Sequence, residues 1–466
     1  MKTLLPQLIR SVLFPLLVVA LALVLPAGTP DAAHADDDDP KAPAPDEPAQ
    51  DEGPVDDVFE GTTTFSADQV DHAMKKAIAW LGKKVARDGS WGEIEGDTFY
   101  GGQTDDGRQR GYGHPAGVTA LVLYTLLKCK VDVANPLIKE GFRYLKDNHL
   151  AEPRGAYESS MLLLALTATA NPYKTASAAQ RAEGGESLKL KQPWRSWAEK
   201  LVKHLVKQRF VGSRGWRYFI NESPAPGGPE DLSSTQLAAL ALFAAQRVGV
   251  RVDRDVWEDV LAFTVAQQEP EGPEVEILDP ADRSTPYKAR SRGFSYIRGA
   301  SEPQHALPSG SMTACALANI EMARFSLRSG KGKREAWEAR PDAAPVQTAL
   351  YDGLAWLKTN WSAFANPQPG GRDDRSGYHI YYLYAVERAM DLLGLRTIDK
   401  HVWYSEMGQE LLNRQFEDGH WGTGTTHEPN DILDTCFALL FLRRAHVDTI
   451  PFPSFTNGSG EASDNR

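Results

Sequence analysis

Gln415-Phe416-Glu417-Asp418-Gly419-His420-Trp421-Gly422 joins two helical patterns of opposite character. The segment before it, ending Leu411-Leu412-Asn413-Arg414, is amphipathic. The segment after it, Asp431-Ile432-Leu433-Asp434-Thr435-Cys436-Phe437-Ala438-Leu439-Leu440-Phe441-Leu442, is apolar on nearly every side. A helix apolar all round must be buried all round, whereas a one-sided helix keeps a face in solvent. The stretch therefore encodes an outer helix, an Asp-Gly turn with a tryptophan, and an inner helix. Asp88-Gly89-Ser90-Trp91-Gly92 repeats that turn, and Gly212-Ser213-Arg214-Gly215-Trp216 is a looser copy. A repeating unit that cannot bury its apolar face alone implies neighbours stacked around a shared core.

Working outward, the chain divides into six such pairs. Ser66 and Gln69 have the spacing of a capping box, and Val70, Ala73, Met74, Ala77, Ile78 and Leu81 mark one face of the helix that follows. Its inner partner is 117–128. Outer segments 135–148, 197–210, 254–268, 345–361 and 399–415 then precede inner segments 157–170, 233–247, 310–325, 377–393 and the closing helix from Asp431. Strand signals are nearly absent. The segments 171–192, 269–292 and 326–344 read as long loops of the kind that carry function or motion. The expected fold is all-α: an α/α toroid of about six helical hairpins, with inner and outer helix rings, spanning 61–450.

The Gln-x-x-Asp-Gly-x-Trp form of Gln415, Asp418, Gly419 and Trp421, with Trp91 and Trp216 in the related turns, resembles the QW motif of squalene-hopene cyclases. Over about 66–443 the chain is similar to the prenyltransferase and squalene oxidase repeat group. The resemblance implies a toroid whose tryptophans pack between hairpins, and it names two catalytic devices. The cyclase acid motif Asp-x-Asp-Asp has its literal match at Asp36 to Asp39, in a linker with no cavity, while Asp373-Asp374 and Asp352 are not equivalents. Asp434-Thr435-Cys436 resembles the Asp-x-Cys zinc ligands of protein prenyltransferase β-subunits. Zinc is readily held by a carboxylate, a thiolate and an imidazole, but only His446 follows, so Asp434 and Cys436 are the only metal candidates and no cofactor is expected. The Gly-Cys-Gly-Glu-Gln run of complement-type thioesters is missing from the sequence.

The ends of the chain carry a different message. Lys2 and Arg10 precede an apolar run from Val12 to Leu25, and Ala33-His34-Ala35 has the form of a cleavage site, so 1–35 reads as a secretory signal peptide. Residues 36–60 are acidic and proline-rich and bury too little to offset ordering entropy, which makes them a disordered linker; 451–466 reads as a disordered tail. The 466 residues are 42% hydrophobic, enough for a large core. A net charge of -11 excludes a dedicated nucleic-acid binder. Three cysteines in an exported chain leave no disulfide framework. The expected location is periplasmic or extracellular, with a ligand or protein partner at the cell envelope and membrane contact only through an uncleaved signal segment.

All inner helices of such an array run the same way, so their N-termini gather at one rim. That rim collects His114, Glu158, Asp231, His305, Tyr378, His379, His427, Asp431 and Asp434. Asp231 and Asp431 are placed to cap helices. Asp434 lies one turn inside an apolar helix and needs a partner, such as a rim histidine, Arg388 or a ligand. Tyr378, Tyr381, Tyr382 and Tyr384 line a cavity or fill a core. The leading reading is a non-catalytic toroid that binds a ligand or protein. An isoprenoid enzyme with rearranged residues is one alternative. The other is a polysaccharide-cleaving toroid with Asp434, Glu158 and His305 as catalytic candidates. Intact-mass measurement on the chain expressed in an exporting bacterium should give a mature N-terminus at Asp36; a chain that retains Met1 would instead mark an anchor.

Overall fold

The structure, a computed structural model, describes residues 63–92, 101–103, 109–111, 115–149, 155–170, 189–209, 214–217, 230–280, 285–329, 332–369, 378–422 and 431–444. The expected leader, linker and tail lie outside these residues. The helices are α1 (Ala67–Lys83) and α2 (Pro115–Lys128), α3 (Pro136–His149) and α4 (Ala156–Ala168), α5 (Trp194–Gln208) and α6 (Leu232–Arg247), then α7 (Arg254–Ala266), the short α8 (Pro303–Ala306) and α9 (Gly310–Arg328). The short α10 (Lys333–Glu338) leads to α11 (Ala343–Thr359) and α12 (His379–Leu393), and α13 (Trp403–Arg414) with α14 (Asp431–Arg443) ends the series. Helices α2, α4, α6, α9, α12 and α14 each pack on the next, and α14 packs on α2, so the inner ring is closed. The fold is an all-α toroid.

Burial follows the sequence pattern. α1 buries only Ala73, Met74, Ala77, Trp80 and Leu81, one stripe of an otherwise exposed helix whose start is fixed by the Ser66–Gln69 capping box. α6 buries every residue from Leu232 to Phe243. Each buried leucine or phenylalanine of the inner ring contributes on the order of 1.5–3 kcal/mol. The middle of the ring is core too.

A second repeat lies in the turns, and it involves threonines. The amides of Trp91, Trp216, Phe294 and Trp421 donate to the hydroxyls of Thr119, Thr235, Thr313 and Thr435, at 2.9, 3.0, 3.1 and 3.0 Å. All eight residues are buried. The three indoles reach back to the outer helix of their own hairpin: Trp91 Nε1 donates to Leu81 O at 2.8 Å, Trp216 to Leu205 O at 2.9 Å and Trp421 to Leu411 O at 2.8 Å. One aromatic residue thus ties both helices of a hairpin through polar groups that burial would otherwise leave unpaired.

The glycines of the same turns dock on the following hairpin. A Cβ on Gly89 would lie 2.8 Å from Glu140 O on α3, and one on Gly419 would lie 2.7 Å from the Lys76 carbonyl on α1. Both glycines have positive φ, 90° and 107°, which a side chain would resist as well. Gly215 approaches Phe263 of α7 and Gly293 approaches Trp356 of α11 in the same manner. Gln415 Nε2 donates to Ala73 O and to Gly419 O, both at 2.8 Å, and Trp80 Nε1 donates to Asp418 Oδ2 at 3.1 Å. The last turn therefore closes the ring onto the first helix. Its His420 is sandwiched between Trp80 and Phe416, with ring centroids 5.0 and 4.4 Å away.

Three sequence expectations need correction. The segment 269–292 holds an antiparallel pair, β3 (Glu274–Leu278) with β4 (Pro286–Arg290), and Gly101–Gln103 (β1) pairs with Gln109–Gly111 (β2). Five alternating residues inside a polar stretch are too few to stand out as a strand. The β3–β4 pair interrupts a turn of the same type: Gln268 Nε2 donates to Ala349 O of α11 at 2.8 Å, the role Gln415 plays on α1, and Phe294 supplies the aromatic residue. Asp352 fixes the insertion, accepting from Arg290 N at 2.8 Å and from Arg292 Nε at 2.6 Å. The loop expected at 326–344 contains α10 and the last turn of α9. Asp431 is the first residue of α14 rather than its cap. Replacing Thr435 with valine leaves the Trp421 amide without its acceptor in the core, and should cost about 1–3 kcal/mol in urea denaturation; Thr435→Ser should restore most of it. Equal stabilities for the two variants would refute the role of the hydroxyl.

Candidate active site

Among the described residues, the side chains of the inner helices pack on one another. On α12, Tyr381, Tyr384 and Arg388 fall on one face. The Tyr381 hydroxyl lies 3.3 Å from Cys315 Sγ, Tyr384 stacks on Phe437 at 5.0 Å, and the buried Arg388 guanidinium sits 3.6 Å over the Tyr384 ring. Burial pushes the Tyr384 hydroxyl up to about 12, against the pull of Arg388. Tyr382 and Tyr384 are thus core residues, and no guanidinium nitrogen of Arg388 has a hydrogen-bond partner among the described residues, so Arg388 does not bond Asp434. Below this level the ring offers a packed interior, so ligand chemistry belongs to its ends.

Counted in sequence, more connecting chain enters the N-termini of the inner helices than leaves their C-termini. Connections 84–114, 209–231, 267–309, 360–378 and 415–430 all enter the N-termini of inner helices. At the opposite rim 129–135, 248–253 and 394–402 are tight, although 169–193 and 329–342 are longer. Binding and catalytic residues concentrate on loops held by a rigid scaffold. The N-terminal rim is the candidate site.

Asp231 is its polar hub. It caps α6, accepting from Ser234 N at 2.7 Å and Ser233 Oγ at 2.8 Å on Oδ1, and from Ser234 Oγ at 2.7 Å on Oδ2. Burial raises its pKa against the opposing hydrogen bonds of Ser234, Ser233 and Tyr296. Because Ser233 donates to Asp231, its 2.6 Å contact with Tyr157 is a hydrogen bond given by the tyrosine. The result is a relay from Tyr157 through Ser233 to Asp231, which also takes a hydrogen bond from the Tyr296 side chain. His305 lies against the Tyr296 ring at 5.2 Å. Hairpins two, three and four meet in this cluster, and neither tyrosine stood out in the sequence.

The other expected residues divide by environment. Glu158 is buried in the first turn of α4, beside Tyr157. Asp434 is half-buried on α14. Asp431 is exposed, 3.6 Å from His420 Nε2. Tyr378 is exposed with a left-handed backbone, φ 58°. His379 is a strut rather than a reactive group: its Nε2–H donates to Ala363 O at 2.9 Å and its Nδ1 accepts from Arg414 Nη1 at 2.8 Å. His114 and His427 lie outside the described residues. Cys436 is completely buried, its thiol pushed up to about 12 by burial, which opposes metal binding. Among the described residues no group of three histidine, cysteine or acidic side chains could hold a metal ion. Nor is any helix among them long and apolar enough to cross a membrane.

No family model matches the chain, and no curated protein matches it. Among solved structures it is similar to an unsaturated glucuronyl hydrolase specific for heparin, at 11% identity over 84% of this chain and 100% of the other, TM-score 0.48. It is also similar to a GH76 α-mannanase from Bacteroides thetaiotaomicron, at 12% identity over 83% and 97%, TM-score 0.45. A third is a possible GH105 member from Salmonella enterica, at 11% identity over 82% and 94%, TM-score 0.45. These likenesses are too slight to build on, and the toroid rests on its own helix packing. The structures named here are glycoside hydrolases, not the prenyltransferases and squalene cyclases that the Gln415–Trp421 turn resembles, and that expectation is corrected accordingly. The Asp434-Thr435-Cys436 triplet is read differently as well: Thr435 holds the Trp421 turn, and Cys436 faces the core.

The strut makes stability depend on pH. Burial first, then the Arg414 charge, lower the His379 pKa from 6.5 to about 4, against the Ala363 hydrogen bond. Between those values the unfolded chain binds the proton and the folded chain does not, so this contribution is complete above pH 6.5 and is lost as pH falls toward 4. Its full size is roughly 3 kcal/mol. Urea denaturation from pH 7 to pH 4 should show a shallower loss in His379→Gln than in the wild type; parallel profiles would remove His379 from this role.

Proposed function

We propose that this chain is a glycan-cleaving α/α toroid that takes an extended carbohydrate across the N-terminal rim of its inner helices. The observation that carries the reading is the Tyr157–Ser233–Asp231–Tyr296 network beside His305, set on the rim with the long connections and above inner helices whose side chains pack on one another. A pocket that swallows an apolar isoprenoid has no room below this level, whereas an open rim with hydroxyls, carboxylates and aromatic rings suits a polymer rich in hydroxyl groups.

Glycosidic hydrolysis needs a carboxylic acid to protonate the leaving oxygen and a carboxylate to activate water or attack the sugar. Asp231 is committed to its cap and positions the tyrosines. Glu158 and Asp434, the carboxylates among the catalytic candidates of the sequence, are the acid and base of the reading. The buried position of Glu158 suits the proton donor, and the half-buried Asp434 suits the base. Export by the 1–35 segment would bring the chain to envelope or extracellular glycans.

The assay is release of new reducing ends from a panel of neutral and acidic polysaccharides. Wild-type chain should cleave at least one, and Glu158→Gln or Asp434→Asn should lower the rate by about 10²–10⁴-fold, the range of acid–base catalysis, without a change in Tm. Retardation in glycan-containing gels without any cleavage would leave a binding scaffold. Neither cleavage nor retardation across the panel would refute the glycan reading.

A further inference from the structure

Among the described residues the two most exposed large apolar side chains are Phe364, 67% exposed, and Tyr378, 65% exposed. Each stands at one end of the connection between α11 and α12, on the candidate rim. The His379 strut ties the two ends of that connection: Nε2 of His379, the neighbour of Tyr378, donates to the carbonyl of Ala363, the neighbour of Phe364, at 2.9 Å.

The backbone beside both residues is tied by hydrogen bonds. The amides of Phe364 and Ala365 donate to Ser362 Oγ at 3.1 Å each. Asn366 Oδ1 accepts from Ser311 N at 2.9 Å, and Gly310 N donates to Pro367 O at 2.8 Å, which pins this connection to the start of α9. Tyr378 is kept at φ 58° and ψ 27°, a conformation costly for an aromatic residue. Its carbonyl still accepts the Tyr382 amide at 2.9 Å. Exposed aromatic rings fixed in advance present contact area at little entropic cost. Strain of this kind, kept where a side chain faces solvent, marks functional positions.

We propose that Phe364 and Tyr378 form a sugar-stacking platform, a subsite that holds one ring of the bound glycan away from the point of cleavage. The inference rests on the glycan reading above. The C–H face of a pyranose is apolar and flat enough to cover an aromatic ring, while its equatorial hydroxyls stay at the edge for the polar groups of the rim. Exposed aromatic faces on the same rim as a hydroxyl-rich network fit that amphipathic ring better than a wholly apolar ligand.

The test uses the full chain and whichever polysaccharide of the panel the wild type retards or cleaves. Affinity electrophoresis and KM are measured for Phe364→Ala, Tyr378→Asn and Tyr378→Phe, asparagine being chosen because it tolerates the left-handed backbone. Expected are a roughly tenfold weaker Kd for Phe364→Ala and Tyr378→Asn, as for loss of an aromatic anchor, a matching rise in KM with kcat little changed, and wild-type behaviour for Tyr378→Phe. Tm should stay at the wild-type value because the side chains are exposed. Unaltered binding in both truncations overturns the platform and leaves the glycan reading in place. A wild type that neither binds nor cleaves any glycan refutes that reading and the platform with it, and would return these rings to the class of protein-docking surfaces.

Discussion

A single buried hydrogen bond, from the amide of a turn aromatic to a threonine hydroxyl inside the inner helix, recurs at Trp91, Trp216, Phe294 and Trp421, and the rest of the ring depends on it. A turn that enters a core brings unpaired amides with it, and each would cost more than most single contacts return. The threonine removes that cost. It also fixes the height at which those four inner helices, α2, α6, α9 and α14, begin. The tryptophan indoles, bonded to outer-helix carbonyls, fix the outer helix against the same reference.

Closure is the second constraint. The turns of hairpins one, three and four dock on the outer helix of the next hairpin, and that of the sixth has only the first to dock on. Gln415, Asp418 and Gly419 meet Ala73, Trp80 and Lys76, residues more than 300 positions earlier in the chain. A closed ring in which Tyr384, Phe437 and Arg388 pack together leaves its function to the rims. The N-terminal rim is where the long connections and the hydroxyl–carboxylate network coincide.

Much of this architecture was legible in the sequence because it is periodic. The all-round apolarity of 432–442 and the single stripe of α1 separate inner from outer helices without any knowledge of contacts. The glycine and tryptophan of the turns were legible as well, though not their family, since a packing turn says nothing of chemistry. Thr119, Thr235, Thr313 and Thr435 could have been found by aligning the hairpins on their aromatic residue; read one at a time they look like ordinary helical residues. Gln268 and Phe294 were hidden by the inserted β3–β4 pair, which separates two halves of one motif.

The candidate site was legible only as a set of residue types near helix starts. Asp231 as a cap could be read from its place before Leu232-Ser233-Ser234, because capping is local. Its bridge to Tyr157 and Tyr296 could not, because those residues come from other hairpins. His379 illustrates the same limit: as a histidine at a rim it suggested chemistry, and its partners Ala363 and Arg414 make it a strut. The sequence by itself determined which helices face solvent, where the turns fall and how many hairpins there are, since period and turn chemistry act over a few residues. Only the tertiary structure decided how the inner helices pack on one another, which side chains share the rim and which carboxylates are already satisfied, because those depend on distances between segments that periodicity does not encode.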